Sequence, residues 1–236
     1  MKRLFILFFV LITSFIINSC AVQTNINKSM TNVKKSIVKI ETWARLGACN
    51  EEAMSCGELT LISSGTGSVI LYGGKKAVLT ASHVCKDDRL RELVAATSGE
   101  VVLKAIDRNN KQYRIEIMKA NDQYDICVLK PAGRLLEPPH IRLSKKMPEY
   151  GEEVYNLAAP SGIIDGEMVP IFRGNYHGIS NGIAFYSVPA IGGSSGSPIL
   201  NVKGELIGVL HSVHYKFHHI TLATSYPVTW NFIKLP

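Results

Sequence analysis

The fold of this chain is decided by residues 191–198, which read Ile-Gly-Gly-Ser-Ser-Gly-Ser-Pro. Two other motifs precede this stretch, Thr80-Ala81-Ser82-His83 and Asp125-Ile126-Cys127-Val128-Leu129. A serine hydroxyl is a weak nucleophile, so it needs an imidazole to accept its proton and a carboxylate to orient that imidazole. The three motifs supply these groups in the chain order histidine, aspartate, serine, and we expect them to form one catalytic site.

Length and composition indicate a single catalytic domain. The chain has 236 residues, 46% of them hydrophobic, which suffices for a double β-barrel or one α/β domain. Its formal net charge of +7 comes from scattered basic residues, whose longest runs are pairs such as Lys34-Lys35 and Lys75-Lys76. Because nucleic-acid binding requires basic residues clustered on one surface, we expect no nucleic-acid partner.

The first residues have the pattern of a secretion signal. Lys2-Arg3 precedes an apolar run from Leu4 to Ile17, which is short for a membrane span and typical of a signal-peptide core. The run ends at Asn18-Ser19-Cys20, which resembles a bacterial lipobox, where the cysteine is lipidated and becomes the mature N-terminus. We predict a lipoprotein-type signal peptide at residues 1–19 and a periplasmic or cell-envelope protein held at the membrane by a lipid on Cys20. The alternatives are an ordinary signal peptide with secretion, and a retained anchor.

The remaining chain divides into a linker and a β-rich domain. Residues 20–32 are polar and predict a linker, followed by a folded domain at residues 33–236. Short β-branched segments recur at turn-like intervals and helical periodicity is nearly absent, which predicts an all-β fold. One barrel is expected at about residues 33–135 and a second at about residues 140–236.

The expected strands of the two barrels alternate with Gly- and Asn-rich turns. In the first barrel they lie at residues 36–42, 59–63, 67–72, 77–80, 101–106, 113–118 and 126–130. In the second they lie at residues 154–158, 169–174, 184–188, 198–202, 205–210 and 221–225. Residues 227–235 are predicted as a short helix that packs Trp230 and Ile233 onto the second barrel, or as an edge strand.

Four stretches, taken together, resemble a known family. Gly65-Thr66-Gly67-Ser68-Val69-Ile70, residues 78–83, residues 125–129 and residues 193–198 are similar, in that order, to the motifs of the chymotrypsin-like serine proteases. The resemblance extends over about residues 36–231 and is strongest to compact bacterial and viral trypsin-like peptidases, including the protease domain of the periplasmic high-temperature-requirement family. It implies two six-stranded antiparallel β-barrels with the active site in the cleft between them. That family usually carries a peptide-binding PDZ domain after the barrels, for which we expect no room here.

The resemblance also implies the roles of individual residues. Ser195 is the expected nucleophile, His83 the general base and then acid, and Asp125 the group that orients the imidazole. The backbone N–H groups of Gly193 and Ser195 are the expected oxyanion hole. Asp122 is an alternative acid, but Asp125 directly precedes an apolar strand. The substrate would be a protein or peptide, and no cofactor is expected.

An alternative interpretation of the same stretch makes Ser194 the nucleophile. Gly192-Gly193-Ser194-Ser195-Gly196 also matches the G-x-S-x-G elbow of α/β-hydrolases, which must open a helix. Here Pro198 and an apolar, strand-like segment follow instead, which favours Ser195. Digestive-type relatives have an aspartate at the position of Ser194, and its absence argues against activation by a new N-terminal amine.

The family comparison also suggests a substrate pocket. Its candidate residues are Pro189, Ala190, Ile191, His211, Ser212, Val213 and His214. Relatives that cleave after Lys or Arg have an acid where this chain has Pro189, so we expect a small, uncharged residue before the scissile bond. A preference for Glu or Gln is the alternative, if His211 or His214 faces the pocket.

Cysteines and histidines leave further alternatives. Cys49 and Cys56 close a short loop and are the preferred disulfide pair, whereas Cys85 and Cys127 are expected as a disulfide or as buried free thiols. The histidines at 211, 214, 218 and 219 lack the spacing of a zinc site, and no metal is expected. The expected function is an exported serine endopeptidase, and the alternative is a catalytically silent binding protein on the same fold.

Overall fold

The computed structural model describes residues 26–45, 47, 57–166, 168–217 and 219–235. Within these residues, twelve strands form two closed six-stranded antiparallel β-barrels, as predicted. The predicted signal peptide, Cys20, Cys49, Cys56 and His218 lie outside the described residues. No described helix is long and apolar enough to cross a membrane.

Residues 26–33 form a helix (α1), which continues through a 3-10 turn at Lys34–Ser36 into the first barrel. The prediction of a polar linker over residues 20–32 is therefore wrong from residue 26 onward. Ile26, Met30 and Val33 recur every three or four positions and so share one face of the helix. That face packs against the second barrel, where Met30 and Val33 are buried, and this burial explains why a segment of polar composition is ordered.

The first barrel contains β1 (Ile37–Arg45), β2 (Thr60–Tyr72), β3 (Lys75–Thr80), β4 (Glu100–Asp107), β5 (Gln112–Asn121) and β6 (Ile126–Pro131), in the order β1-β2-β3-β6-β5-β4. The two strands expected at residues 59–63 and 67–72 are one continuous strand, β2. Two short helices that we did not predict, α2 (Ser82–Cys85) and α3 (Asp88–Ala96), connect β3 to β4. Asp87 caps α3 by accepting a hydrogen bond from the Leu90 N–H at 3.0 Å.

The second barrel has the same topology. It contains β7 (Glu153–Leu157), β8 (Ile171–Ser180), β9 (Ile183–Tyr186), β10 (Pro198–Leu200), β11 (Leu206–Val213) and β12 (Thr221–Thr224), in the order β10-β11-β12-β9-β8-β7. The chain then forms a helix, α4 (Tyr226–Lys234), and not an edge strand. This helix buries Phe232 and Ile233, whereas Trp230 stays 37% exposed, so the expected packing holds for Ile233 but not for Trp230.

Three clusters of apolar side chains stabilise this arrangement. One fills each barrel, and the third joins them, since it contains Ile37, Leu79 and Ile126 of the first barrel and Leu157 and Val209 of the second. Burying apolar surface is the main favourable contribution to folding, so this shared cluster holds the barrels against each other. Residues on opposite barrels can therefore form one site.

Candidate active site

His83 lies in the short helix α2, which follows strand β3 of the first barrel. Its ring Nδ1 is 2.7 Å from Oδ2 of Asp125, and its backbone N–H donates to Oδ1 of the same carboxylate at 2.9 Å. The carboxylate therefore contacts both the ring and the main chain of His83. Two such contacts restrain the rotation of the imidazole and favour a proton on Nδ1, which leaves Nε2 free to act as a base.

Asp125 adopts a conformation that is uncommon for a residue with a side chain. Its φ is +50°, in the turn between β5 and β6. Burial raises the pKa of the Asp125 carboxyl, but the hydrogen bonds from the His83 ring and backbone outweigh this effect and hold the pKa below its usual range. Asp125 is thus ionised at neutral pH. A backbone strained at this position is consistent with a functional constraint.

Asp122 has different partners from Asp125. One of its oxygens accepts a hydrogen bond from the Ser82 hydroxyl at 2.5 Å, and the other accepts from Lys86 at 2.8 Å. Its side chain is 62% exposed. The structure therefore pairs His83 with Asp125, while Asp122 joins α2 to the β5–β6 turn from the outside.

A disulfide adds a covalent connection between the same two segments. It joins Cys85 to Cys127, and these cysteines follow His83 and Asp125 by two positions each. Of the two alternatives for this pair of cysteines, the structure has the disulfide. The segment that carries the imidazole is thus bonded to the segment that carries the carboxylate.

Ser195 lies in the turn before β10, in contact with the first barrel. Its backbone oxygen accepts a hydrogen bond from the Thr66 N–H at 2.8 Å, and its Oγ donates to the backbone oxygen of His211 at 3.3 Å. Within the described part of the chain, no hydrogen bond joins Ser195 Oγ to the His83 ring. Hydrogen bonds between catalytic groups are often long in free enzymes and shorten when substrate binds.

Gly196 brings the serine turn close to the segment of His83. Its φ is +86°, and a Cβ there would lie 2.0 Å from Oγ1 of Thr80 and 3.0 Å from the backbone nitrogen of Ala81. Only glycine allows this approach. Ser195 is therefore held beside the end of β3, three residues before His83.

Position 193 also requires glycine. Its φ is +90°, and a Cβ would lie 2.6 Å from the backbone nitrogen of Ser161 and 2.8 Å from the oxygen of Ala159. Among the described residues, the N–H groups of Gly193 and Ser195 have no hydrogen-bond acceptor. Two backbone donors near a serine hydroxyl are the arrangement that stabilises an oxyanion.

The sequence matches the model of the trypsin-like peptidase domain over residues 65–209, which is more than half of the chain and includes His83, Asp125 and Ser195. The chain belongs to the trypsin-like peptidases. No curated protein is significantly similar to it in sequence.

Solved structures of bacterial proteases share the fold of this trypsin-like peptidase. A serine endoprotease from Yersinia pestis has a TM-score of 0.67 and 16% identity, covering 89% of this chain and 65% of its own. The active form of the Rv3671c protease from M. tuberculosis has a TM-score of 0.61 and 16% identity, covering 86% and 81%. An inactive serine-to-alanine mutant of that protease has a TM-score of 0.59 and 16% identity, covering 88% and 90%. The chain thus spans less than two thirds of the Yersinia protein, and at this identity the likeness concerns the fold.

Ser194 is fully buried in this trypsin-like peptidase. Its Oγ accepts a hydrogen bond from the Ile191 N–H at 3.3 Å, and its own N–H donates to the Ile191 oxygen at 2.9 Å. A strand, β10, follows the turn, whereas the α/β-hydrolase elbow requires a helix. Ser194 therefore shapes the turn from inside, and the alternative reading of the motif does not fit the fold.

The candidate pocket residues occupy two segments near Ser195. Pro189, Ala190 and Ile191 lead into the serine turn, and Ile191 is 62% exposed while Ala190 packs against the core of the second barrel. His211, Ser212 and Val213 end β11, where the His211 backbone oxygen accepts the hydrogen bond from Ser195 Oγ. None of these residues is acidic.

The two histidines considered for the pocket differ in their surroundings. Burial lowers the pKa of His211, and the negative charge of Asp125 only partly offsets this effect, which favours the neutral imidazole. His214 stacks on Tyr215 and contacts Phe217 at the β11–β12 hairpin. The described residues contain no group of three His, Cys, Asp or Glu side chains that could hold a metal ion.

Thr66 and Ser161 contribute to the site although the sequence did not single them out. Thr66, on β2, contacts the backbone of the serine turn, and the Ser161 N–H donates to the Gly192 oxygen at 2.7 Å. Thr66 lies in one of the stretches that resemble the family, Gly65-Thr66-Gly67. Because β-branched residues are common in strands, its type alone did not indicate a role in the site. The sequence contains no signal for Ser161.

Proposed function

We propose that this protein is an exported serine endopeptidase that acts through His83, Asp125 and Ser195. The observation that carries the proposal is the double contact of the Asp125 carboxylate with the ring and backbone of His83. A second support is the serine turn, where the N–H groups of Gly193 and Ser195 have no acceptor within the described ranges of the chain. Membership of the trypsin-like peptidases agrees with this chemistry.

In the proposed reaction, Ser195 Oγ attacks the carbonyl carbon of the scissile bond while His83 Nε2 accepts the hydroxyl proton. The carbonyl oxygen becomes an oxyanion, which accepts hydrogen bonds from the Gly193 and Ser195 N–H groups. His83 then gives the proton to the leaving amine as the C–N bond breaks, leaving an acyl-enzyme. Water then loses a proton to His83 and attacks the acyl carbon; as the ester C–O bond breaks, His83 returns the proton to Ser195 Oγ and the carboxylic acid product is released.

For specificity, we propose that a small, uncharged residue precedes the scissile bond. The support is the absence of an acid among the pocket residues, with Pro189 at the position where basic-residue proteases have one. The substrate backbone would extend the sheet along residues 211–213 of β11. A peptide-library cleavage profile dominated by Lys, Arg or Glu would contradict this proposal.

The sequence of residues 1–20 supports export and membrane attachment through a lipid on Cys20. The Cys85–Cys127 disulfide supports an oxidising compartment, because such bonds are rare in the cytosol. We expect metabolic labelling with an alkyne fatty acid to mark the wild type but not Cys20→Ala. If both proteins lack label and are recovered in the medium, an ordinary signal peptide replaces this proposal.

One experiment separates a protease from a silent binding protein. A fluorophosphonate probe should label the wild type at Ser195, and Ser195→Ala should be neither labelled nor active on a peptide library. Ser194→Ala is the matched control, since it removes a neighbouring hydroxyl that is buried in the turn. A wild type that neither reacts nor hydrolyses peptides would favour the binding protein.

A further inference from the structure

Thr66 connects the first barrel to the serine turn through both its backbone and its side chain. It is fully buried on β2. Its N–H donates to the Ser195 oxygen at 2.8 Å, and its hydroxyl donates to the Gly193 oxygen at 2.7 Å. The same hydroxyl accepts a hydrogen bond from the Ala159 N–H at 2.9 Å. One side chain therefore holds two separate segments of the second barrel.

The segment that contains Ala159 is a turn, and this turn contacts the backbone next to Gly193. The Gly162 N–H closes the turn by donating to the Ala159 oxygen at 2.9 Å, and Ser161, at φ +51°, donates its N–H to the Gly192 oxygen at 2.7 Å. A peptide group is planar and trans, so its N–H points opposite to its carbonyl. Holding the Gly192 oxygen therefore sets the direction of the Gly193 N–H, one of the two proposed oxyanion donors.

We propose that the Thr66 hydroxyl is a positioning group for the oxyanion donors. The inference rests on the proposed role of the Gly193 and Ser195 N–H groups. The hydroxyl bonds to both the Ala159 N–H and the Gly193 carbonyl, and so fixes the position of the Ala159 turn relative to Gly193. The same turn, through the Ser161 N–H, holds the Gly192 carbonyl. Glycine at 192 and 193 leaves this backbone free to rotate once those contacts are lost.

The chemistry of the contact requires a hydroxyl. It donates one hydrogen bond and accepts another at the same atom, which only Ser and Thr can do at this size. Valine has the same shape but would leave a buried carbonyl and a buried N–H without partners. Those groups would recover partners only by moving, and that movement would disturb the donors while the pocket residues stay in place.

The test compares Thr66→Val with Thr66→Ser, using kcat per active site titrated with the fluorophosphonate probe. We expect Thr66→Val to lower kcat by roughly 10- to 100-fold with KM little changed, because loss of a whole oxyanion donor costs about 10²–10³. Thr66→Ser keeps the hydroxyl and should retain kcat within roughly threefold. A group that only stabilises the fold would not separate kcat from KM in this way.

A second readout measures the oxyanion site without turnover. When a peptide boronic acid binds, Ser195 Oγ bonds to boron, the hydroxyl proton passes to His83, and an oxygen of the tetrahedral boronate faces the donors. Its affinity should fall in Thr66→Val by about the same factor as kcat. The affinity for the matching peptide product, which lacks a tetrahedral centre, should not change.

Thr229→Val is the matched control, because Thr229 is another fully buried threonine, on α4, whose hydroxyl donates to the Thr224 oxygen at 3.4 Å. It should keep the wild-type kcat. If Ser195→Ala stays active, the proposed function fails; if the wild type is active and Thr66→Val has the same kcat, only the present inference fails. Should Thr66→Val not fold, Thr66→Ala carries the same expectation, and failure of both to fold would contradict a positioning role.

Discussion

The disulfide between Cys85 and Cys127 makes a strong prediction about stability. The two cysteines are 42 residues apart, so the bond closes a long loop in the unfolded chain. The entropy lost by the unfolded chain corresponds to about 4 kcal/mol of folding free energy at 25 °C. The variant Cys85→Ala/Cys127→Ala should be less stable by that amount, which for a domain of about 200 residues is a fall in Tm of roughly 8–16 °C.

Urea unfolding followed by tryptophan fluorescence measures the effect in both barrels. The two tryptophans of the chain lie on different elements, Trp43 on β1 of the first barrel and Trp230 on α4 behind the second. Reducing agent should bring the wild type close to the variant. A loss below about 1 kcal/mol would refute the reasoning, because it would mean that the unfolded chain gains little freedom when the bond is absent.

The same variant separates stability from catalysis. The hydrogen bonds from His83 to Asp125 and from Ser82 to Asp122 do not involve the cysteines. We therefore expect kcat at 25 °C, without denaturant, to stay within roughly tenfold of the wild type, whereas a misplacement near 1 Å would cost about 10². A larger fall in a folded variant would show that the disulfide itself aligns the base with the acid.

Three further predictions concern single residues of the site. Gly193→Ala should retain the fold but lower kcat, measured by steady-state kinetics, by about 10²–10³. The reason is that a Cβ at residue 193 cannot fit against Ser161. An active Gly193→Ala enzyme would disprove the oxyanion assignment. Asp125→Asn should lower kcat by about 10⁴, while Asp122→Asn should leave it nearly unchanged, and equal effects would contradict the assignment of the acid. Burial lowers the pKa of His211 below the usual 6.5, so the unfolded chain binds its proton first and the wild type should lose stability as pH falls below about 6.5. His211→Gln should remove that part of the pH dependence in urea unfolding at pH 5 and pH 8, and an unchanged slope would count against it.

The sequence predicted the parts of the molecule that depend on local pattern. Short β-branched segments at turn-like intervals predicted two barrels. The helix α1 was missed although Ile26, Met30 and Val33 have helical spacing. A short helix of polar composition is stable only when its apolar face is buried, and the surface that buries it belongs to the distant second barrel.

The details of the site depended on pairing between strands. Cys85 meets Cys127 because β3 pairs with β6 in a register that sets Thr80 opposite Cys127. No pattern in the sequence determines that register, so a disulfide and free thiols remained equal alternatives. The same holds for Thr66, because its hydroxyl meets Gly193 and Ala159 only after the barrels have come together.

The contact between the barrels therefore does more than stabilise the fold. β2 of the first barrel approaches the serine turn so closely that a Cβ at Gly65 would lie 3.2 Å from the Ser195 oxygen, and Gly196 tolerates none against Thr80. His83 and Asp125 belong to the first barrel, whereas Ser195 and Gly193 belong to the second. A relative shift of the barrels would break the Thr66 contacts and separate Ser195 from His83. In this architecture the geometry of the site is set at the interface, and mutations there should affect kcat before they affect substrate affinity.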